Sequence, residues 1–474
     1  MTGPLDPTQR PWFFCGIGGS GMLPLAQIVH GLGGTVAGSD RSRDQGRSVE
    51  KFAWLEDNGF ALFPQDGSGV TSDKQIVVAS AAVEDTVPEI VKATALGCER
   101  KTRAELNAAL FNAADTGIAV AGTSGKSTVT AMLGWILHHT GRAPTIMNGA
   151  VMKNFVTPDN PFASAQVGGR DLYVSEVDES DGSIALYRPE VGILLNVSLD
   201  HKSMDELRVL FGGYLQTAKT AVINADDPEA RALAEGHPRT ISFSLGYEVE
   251  ADIWVEPVTI TEDASGTMAD VFDRRLERSG YLLKLAMPGV HNLSNALAAI
   301  AGASAAGVPV AEAVAALESF KGLARRFDII GTSPAGITVF DDFGHNPEKC
   351  AATLRTLKKH SGRVIAYFQP HGYGPLRQMG HELAETFARE LSGDDVTILS
   401  DPVYFGGTAD RSEGADRVVR LINEAGGRAE HLAARDSVAE RIVAIAKPGD
   451  RVVVMGARDD TLTEFAKDLL ARLP

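Results

Sequence analysis

Short apolar runs bounded by glycine, aspartate and asparagine recur along the chain. Between them lie longer stretches whose apolar residues fall three and four apart. Runs of the first kind read as strands buried on both faces, and stretches of the second kind as amphipathic helices. The run WFFCG at 12–16 predicts a first strand and a helix follows from 22 to 31; a second strand ends at Gly38-Ser39-Asp40 and another covers 75–80. A fresh strand at 117–120 leads into a helix with Val129, Met132, Leu133, Ile136 and Leu137 at helical spacing, and further strands are read at 172–175, 191–196 and 221–224. Residues 240–285 alternate in short runs broken by turns, which predicts a β-rich insertion. From about Arg325 the strand–helix rhythm returns, with strands at 337–340, 363–368, 396–400 and 451–455. The pattern predicts an α/β protein of three domains, 1–113, 114–324 and 325–474.

Composition narrows the function classes. With 474 residues, 44% hydrophobic and 22% charged, the chain can bury substantial cores. A net charge of −16, without a lysine or arginine run, excludes a nucleic-acid track and a basic membrane-surface patch, so any phosphate ligand must be held locally. Cys15, Cys98 and Cys350 fit neither a metal knuckle nor a disulfide framework, and the first residues show no basic segment followed by an apolar core. No apolar run reaches about 18 residues. A cytoplasmic protein is expected.

Two glycine loops carry the chemistry. Gly122-Thr123-Ser124-Gly125-Lys126-Ser127-Thr128 follows a strand and opens a helix. Such a loop aims backbone N–H groups at one point and suits polyphosphate, with Lys126 reaching the outer phosphates and the Ser127 hydroxyl available to Mg²⁺. It is a shortened variant, because Val120 stands six residues before Lys126, where the usual pattern has glycine. Gly16-Ile17-Gly18-Gly19-Ser20-Gly21 also follows a strand, and Asp40 ends the next one, where a ribose-binding acid is expected. Alone, this turn fits a dinucleotide, another nucleotide or no ligand; the second loop tips it toward a nucleotide-linked substrate, with ATP at the other site. Glu176, Asp178, Glu179 and Asp181 follow one strand and Asp200-His201 another, on the edge where the phosphate loop opens, as ligands for Mg²⁺ or as a solvated acidic loop. Asp341-Asp342-Phe343-Gly344-His345-Asn346-Pro347 runs from a strand into a helix, Phe368-Gln369-Pro370-His371 ends another strand, and Arg325-Arg326-Phe327 sits at a domain junction.

In this order the segments resemble the Mur ligase family over nearly the whole chain. The matching stretches are GIGGSGM at 16–22, GSD at 38–40, GTSGKST at 122–128, EVDESDGS at 176–183, LDH at 199–201, HNLSNALAA at 291–299, ARRF at 324–327, DDFGHNPE at 341–348 and FQPHGYG at 368–374. The resemblance implies a Rossmann-like UDP-substrate domain, a central P-loop ATPase domain and a C-terminal Rossmann-like domain. It implies an ATP- and Mg²⁺-dependent ligase that joins an amino acid to a UDP-linked sugar acid. The nearest branch adds L-alanine to UDP-N-acetylmuramate; a branch attaching a recycled tripeptide to the same acceptor and a non-catalytic relative are the alternatives. It also implies UDP-substrate contacts from Gly16, Gly18, Gly19, Ser20, Gly21, Met22 and Asp40, and ATP contacts from residues 122–128. Asn292 and Asn295 would lie near adenine, Asp342 near the ribose, and Ser127, Glu176 and His201 would hold Mg²⁺. Lys126, Arg326, His201, His345 and His371 would attend the reacting groups. Ser124 replaces the branch's usual histidine and Ser127 its threonine, while Gly372 and Pro375 stand where the alanine-adding enzymes usually carry arginines, leaving Arg377 nearby. Lys219 is the position nearest the lysine that is carbamylated elsewhere in the family.

Overall fold

The computed structural model describes residues 5–81, 83–199, 202–246, 250–263, 266–276, 280–391, 393–402, 413–457, 459 and 461–474. The chain forms two compact units, Met1–Gly322 and Leu323–Pro474. The first unit opens with a five-stranded parallel sheet of β1 (Trp12–Cys15), β2 (Val36–Ser39), β3 (Ala61–Phe63), β4 (Ile76–Ala79) and β5 (Glu99–Thr102). Its spatial order is β3-β2-β1-β4-β5. The chain winds outward first on one side of β1 and then on the other, so the turn after β1 stands at the point where ligands gather in open α/β sheets. Trp12, Phe13 and Phe14 of β1 are all buried, which explains a run without alternation.

The second sheet of this unit contains β6 (Thr116–Ala121), β7 (Thr145–Met147), β8 (Ala165–Gln166), β9 (Leu172–Glu176), β10 (Val191–Leu194), β11 (Thr220–Asn224), β12 (Thr240–Ser244), β13 (Ile253–Val255), β14 (Thr261–Asp263), β15 (Gly266–Asp273) and β16 (Tyr281–Leu285). β6 lies between β10 and β9 in a parallel run from β13 to β7. Residues 240–285 supply the expected β-rich extension, whose later strands pair antiparallel: β15 meets β13, β14 and β16. The two sheets share a continuous apolar core. A buried polar knot adds to it. Asn107, in the helix Arg103–Asn112, donates to Ser175 Oγ at 3.0 Å and Tyr187 Oη at 2.8 Å and accepts from Tyr173 Oη at 2.9 Å, so that helix is fixed against β9.

The second unit holds one sheet of β17 (Asp328–Thr332), β18 (Thr338–Asp342), β19 (Val364–Gln369), β20 (Val396–Leu399), β21 (Ala429–His431) and β22 (Arg451–Gly456), in the order β17-β18-β22-β19-β20-β21. Among the described residues only β17 pairs antiparallel. Separate apolar clusters cover the two faces. Among the described residues no helix is long and apolar enough to cross a membrane.

Candidate active site

The phosphate loop leaves β6 and turns through Gly122 at φ +138° and Gly125 at φ +88° before the helix Lys126–His139 begins. Gly125 has a second constraint, because a β-carbon there would stand 2.6 Å from Asn295 Oδ1. The loop therefore meets the helix Val290–Ala305, on which Asn292 is buried and donates to Pro288 O at 2.8 Å. Lys126 Nζ donates to Gly122 O at 2.7 Å and to Glu179 Oε2 at 2.8 Å, and Ser127 Oγ donates to Glu176 Oε2 at 2.7 Å. The acidic loop thus engages the cation and the hydroxyl of the phosphate loop individually. Thr123 and Thr128 are buried and Ser124 is exposed.

Sequence reasoning missed two clamps on this loop. Asn196 Oδ1 accepts from Thr123 Oγ1 at 2.7 Å and from Ser124 N at 2.9 Å, while Asn196 Nδ2 donates to Ser124 O at 3.1 Å. Asn148 Nδ2 donates to Ser127 O at 2.9 Å. The apolar run 191–196 predicts a strand ending at Asn196, but β10 stops at Leu194 and frees the Asn196 amide for the neighbouring loop. His201 lies outside the described residues. Among the described residues no group of three or more His, Cys, Asp or Glu side chains converges as a metal cluster. Lys219 is exposed just before β11, where it pairs with Glu190, and β11 runs from there toward the carboxyl edge of the sheet.

The first glycine turn is held by backbone bonds from Gly16 N and Ile17 N to Ser39 O and from Met22 N and Leu23 N to Gly19 O. Gly16 takes φ +72°, while Gly19 and Ser20 are exposed. Asp40 is buried and both its oxygens are in use: Oδ2 accepts from Gly18 N at 2.9 Å and Oδ1 from Ser42 N at 2.8 Å. The carboxylate expected at a ribose therefore braces the turn.

In the second unit Asp342 is similarly committed, accepting from Phe327 N, Gly344 N and Thr353 Oγ1 at 2.8–2.9 Å. Arg325 and Phe327 take positive φ, +60° and +50°, on either side of Arg326, a costly backbone for non-glycine residues that is retained where a side chain must be aimed. Arg325 itself is buried, donating to Gly456 O and Asp459 O. The Arg326 guanidinium lies 4.9 Å from the Phe343 ring centre, and the His345 and His371 rings meet edge to face at 5.3 Å. Burial, followed by the nearby charge of Lys349, brings the His345 pKa down to about 4, and its Nδ1 shares a 2.9 Å hydrogen bond with Phe343 O. Burial raises Asp341 to about 6 against the opposing charge of Arg325. Gly372 takes φ +153° ahead of the helix Tyr373–Glu390, on which Arg377 is exposed.

A phosphate loop at the carboxyl edge of one parallel sheet and a glycine turn at the switch point of another describe a multidomain α/β enzyme that works on nucleotides. The chain belongs to the Mur ligase family. Residues 13–115 match the Mur ligase family catalytic domain, 120–303 the Mur ligase middle domain and 325–458 the Mur ligase glutamate ligase domain. A UDP-N-acetylmuramate–L-alanine ligase of Agrobacterium fabrum is 34% identical, across 97% of this chain and 96% of its own length. One from Pelotomaculum thermopropionicum is 34% identical across 95% of each. Among solved structures, the UDP-N-acetylmuramate-alanine ligase of Thermotoga maritima shares the fold with a TM-score of 0.79 at 24% identity, covering 98% of this chain and 99% of the other. A murein peptide ligase of Psychrobacter arcticus gives 0.69 at 25% identity, covering 98% of each.

Proposed function

We propose that the chain is an ATP-dependent amide ligase that joins L-alanine to the carboxylate of UDP-N-acetylmuramate, a step in making peptidoglycan precursors. The observation that carries this reading is the phosphate loop with its paired acidic loop, in a chain that matches alanine-adding ligases over nearly its full length. The sugar carboxylate attacks the γ-phosphate of ATP, giving an acyl phosphate and ADP; the amine then displaces phosphate and forms the amide. The first step needs positioning and charge neutralisation more than covalent help. Lys126 supplies one charge at the outer phosphates and Arg326, aimed by its two strained neighbours, supplies another. Asn295 lies beside the loop at Gly125, Asn292 is its neighbour on the same helix, and both are assigned to adenine in this reading.

Ser127 Oγ and Glu176 Oε2 are hard oxygen donors in mutual contact and suit Mg²⁺, with His201 as the third ligand of this reading. The ion, when bound, screens the charge of the transferring phosphoryl group. Asp40 and Asp342 brace the backbones around them, and in this reading their remaining acceptor capacity serves the substrate and ATP riboses. His345 and His371, whose rings meet, are the candidates in this reading for taking a proton from the incoming ammonium, with His201 as the other candidate base.

Phosphate release from ATP, followed with UDP-N-acetylmuramate plus L-alanine, glycine, L-serine or the murein tripeptide, tests the reading. Release that requires both the UDP-sugar acid and L-alanine is expected. Release with the tripeptide alone would move the chain to the recycling branch, and none with any pair would leave a nucleotide-binding relative without turnover.

A further inference from the structure

We propose that Arg103 is a further substrate-binding residue whose guanidinium, laid across the glycine turn at Gly21 and facing Asp181 of the acidic loop, takes the diphosphate of the UDP-linked substrate. The proposal rests on reading the turn at 16–22 as the UDP-substrate site. Gly21 provides the first observation. Its backbone, at φ −98° and ψ −17°, is open to any L-residue, so conformation does not explain the missing side chain. Space does: a β-carbon at Gly21 would come 2.9 Å from Arg103 Cδ and 3.0 Å from Arg103 Nη1.

Arg103 is also held where it lies. It begins the helix Arg103–Asn112, whose start is fixed by a reciprocal cap in which Thr102 Oγ1 accepts from Glu105 N and the Glu105 carboxylate accepts from Thr102 N. One turn on, Asn107 ties the same helix to Ser175 of β9, the strand that leads into the acidic loop. The side chain therefore reaches from the first glycine turn toward the acidic loop. Its far edge, Nη2, stands 3.9 Å from Asp181 Oδ2, with both groups about one-third exposed. That distance is too long for a hydrogen bond, and a partly exposed pair of this kind contributes little. The guanidinium can exchange Asp181 for a phosphate, to which its planar fork is matched.

Calorimetric titration of the full chain with UDP, UDP-N-acetylmuramate and ATP tests the proposal. Arg103→Ala is expected to weaken UDP and UDP-N-acetylmuramate alike by about tenfold or more, leave ATP within about twofold, and Arg103→Lys to fall between Ala and wild type. Gly21→Ala pushes the guanidinium off the turn, so it is expected to weaken UDP binding in the wild type but add little in the Arg103→Ala background. Equal UDP affinity in wild type and Arg103→Ala overturns the proposal, and loss confined to UDP-N-acetylmuramate overturns the diphosphate assignment in favour of the sugar carboxylate. Equal loss of ATP and UDP in Arg103→Lys would show a structural role only and also overturns it. A wild type that binds ATP but neither UDP ligand overturns the reading of the turn, and this proposal with it.

Discussion

Lys126 is no lone cation on an open loop; its ammonium is paired with Glu179, whose side chain is 4% exposed. Removing one partner of a buried pair leaves the other charge uncompensated, at a cost of about 3–5 kcal/mol. Lys126→Ala is therefore expected to abolish turnover and lower the thermal midpoint, while Lys126→Ala with Glu179→Gln regains most of the stability and none of the activity. Phosphate release and thermal melts on both variants check this, and identical melts would refute the pairing. Asn196→Ala removes the clamp on Thr123 and Ser124 and is expected to raise the Michaelis constant for ATP about tenfold with little effect on UDP-substrate affinity, read by steady-state kinetics with each substrate varied in turn. The residues of these pairs were unequally legible in the sequence. Gly122 to Thr128 announce themselves because a phosphate cradle needs those types at adjacent positions. Asn196 acts across sheet neighbours 72 and 73 residues apart, and only the placement of β10 beside β6 makes it a loop clamp.

At the level of elements, the glycine turn is built from the inside. A β-carbon at Gly18 would meet Phe52 Cζ at 2.9 Å and Asp40 Oδ2 at 3.1 Å, so Gly18→Val is expected to displace the brace that Asp40 provides. UDP-substrate affinity should fall far more than ATP affinity in separate titrations, and an equal fall would argue against two distinct sites. The amine side of the reaction offers a second test. Gly372 sits at φ +153°, a conformation that disfavours arginine, so Gly372→Arg should not lower the Michaelis constant for L-alanine. Arg377→Ala should raise it about tenfold if Arg377 has taken over the carboxylate; unchanged L-alanine kinetics would remove Arg377 from the pocket. Strand and helix positions were largely legible, because apolar runs and 3.6-residue periods reflect burial directly: the helix Met22–Gly31 begins and ends where its pattern does. The pairing of β15 with β13, β14 and β16 was not, because alternation marks a half-buried strand without naming its neighbour.

Across the whole molecule, two groups of the second unit should make opposite contributions to acid stability. His345 titrates near 4 when folded against 6.5 unfolded, so its contribution is complete above about pH 6.5 and is lost as pH falls toward 4. Asp341, near 6 folded against 3.8 unfolded, contributes fully below 3.8 and loses that contribution as pH rises through 6. Between pH 4 and 6 unfolding takes up a proton at one and releases a proton at the other, so the two slopes cancel. Asp341→Asn should expose a loss of stability on acidification over that window, with a slope of up to about 1.4 kcal/mol per pH unit, and His345→Gln the reverse; denaturant titrations at several pH values measure both. The helix Val290–Ala305 carries a consequence of a different kind. It is buried along most of its length and packs on the helix that the phosphate loop opens, with Gly302 and Gly134 pressed against Ile193 and Ile146. Such elements do not fray separately from the core, so amide exchange in both helices should require cooperative opening of the first unit. ATP at a hundred times its dissociation constant would add about 2.7 kcal/mol to that opening, slowing exchange in both helices by the same factor of about a hundred.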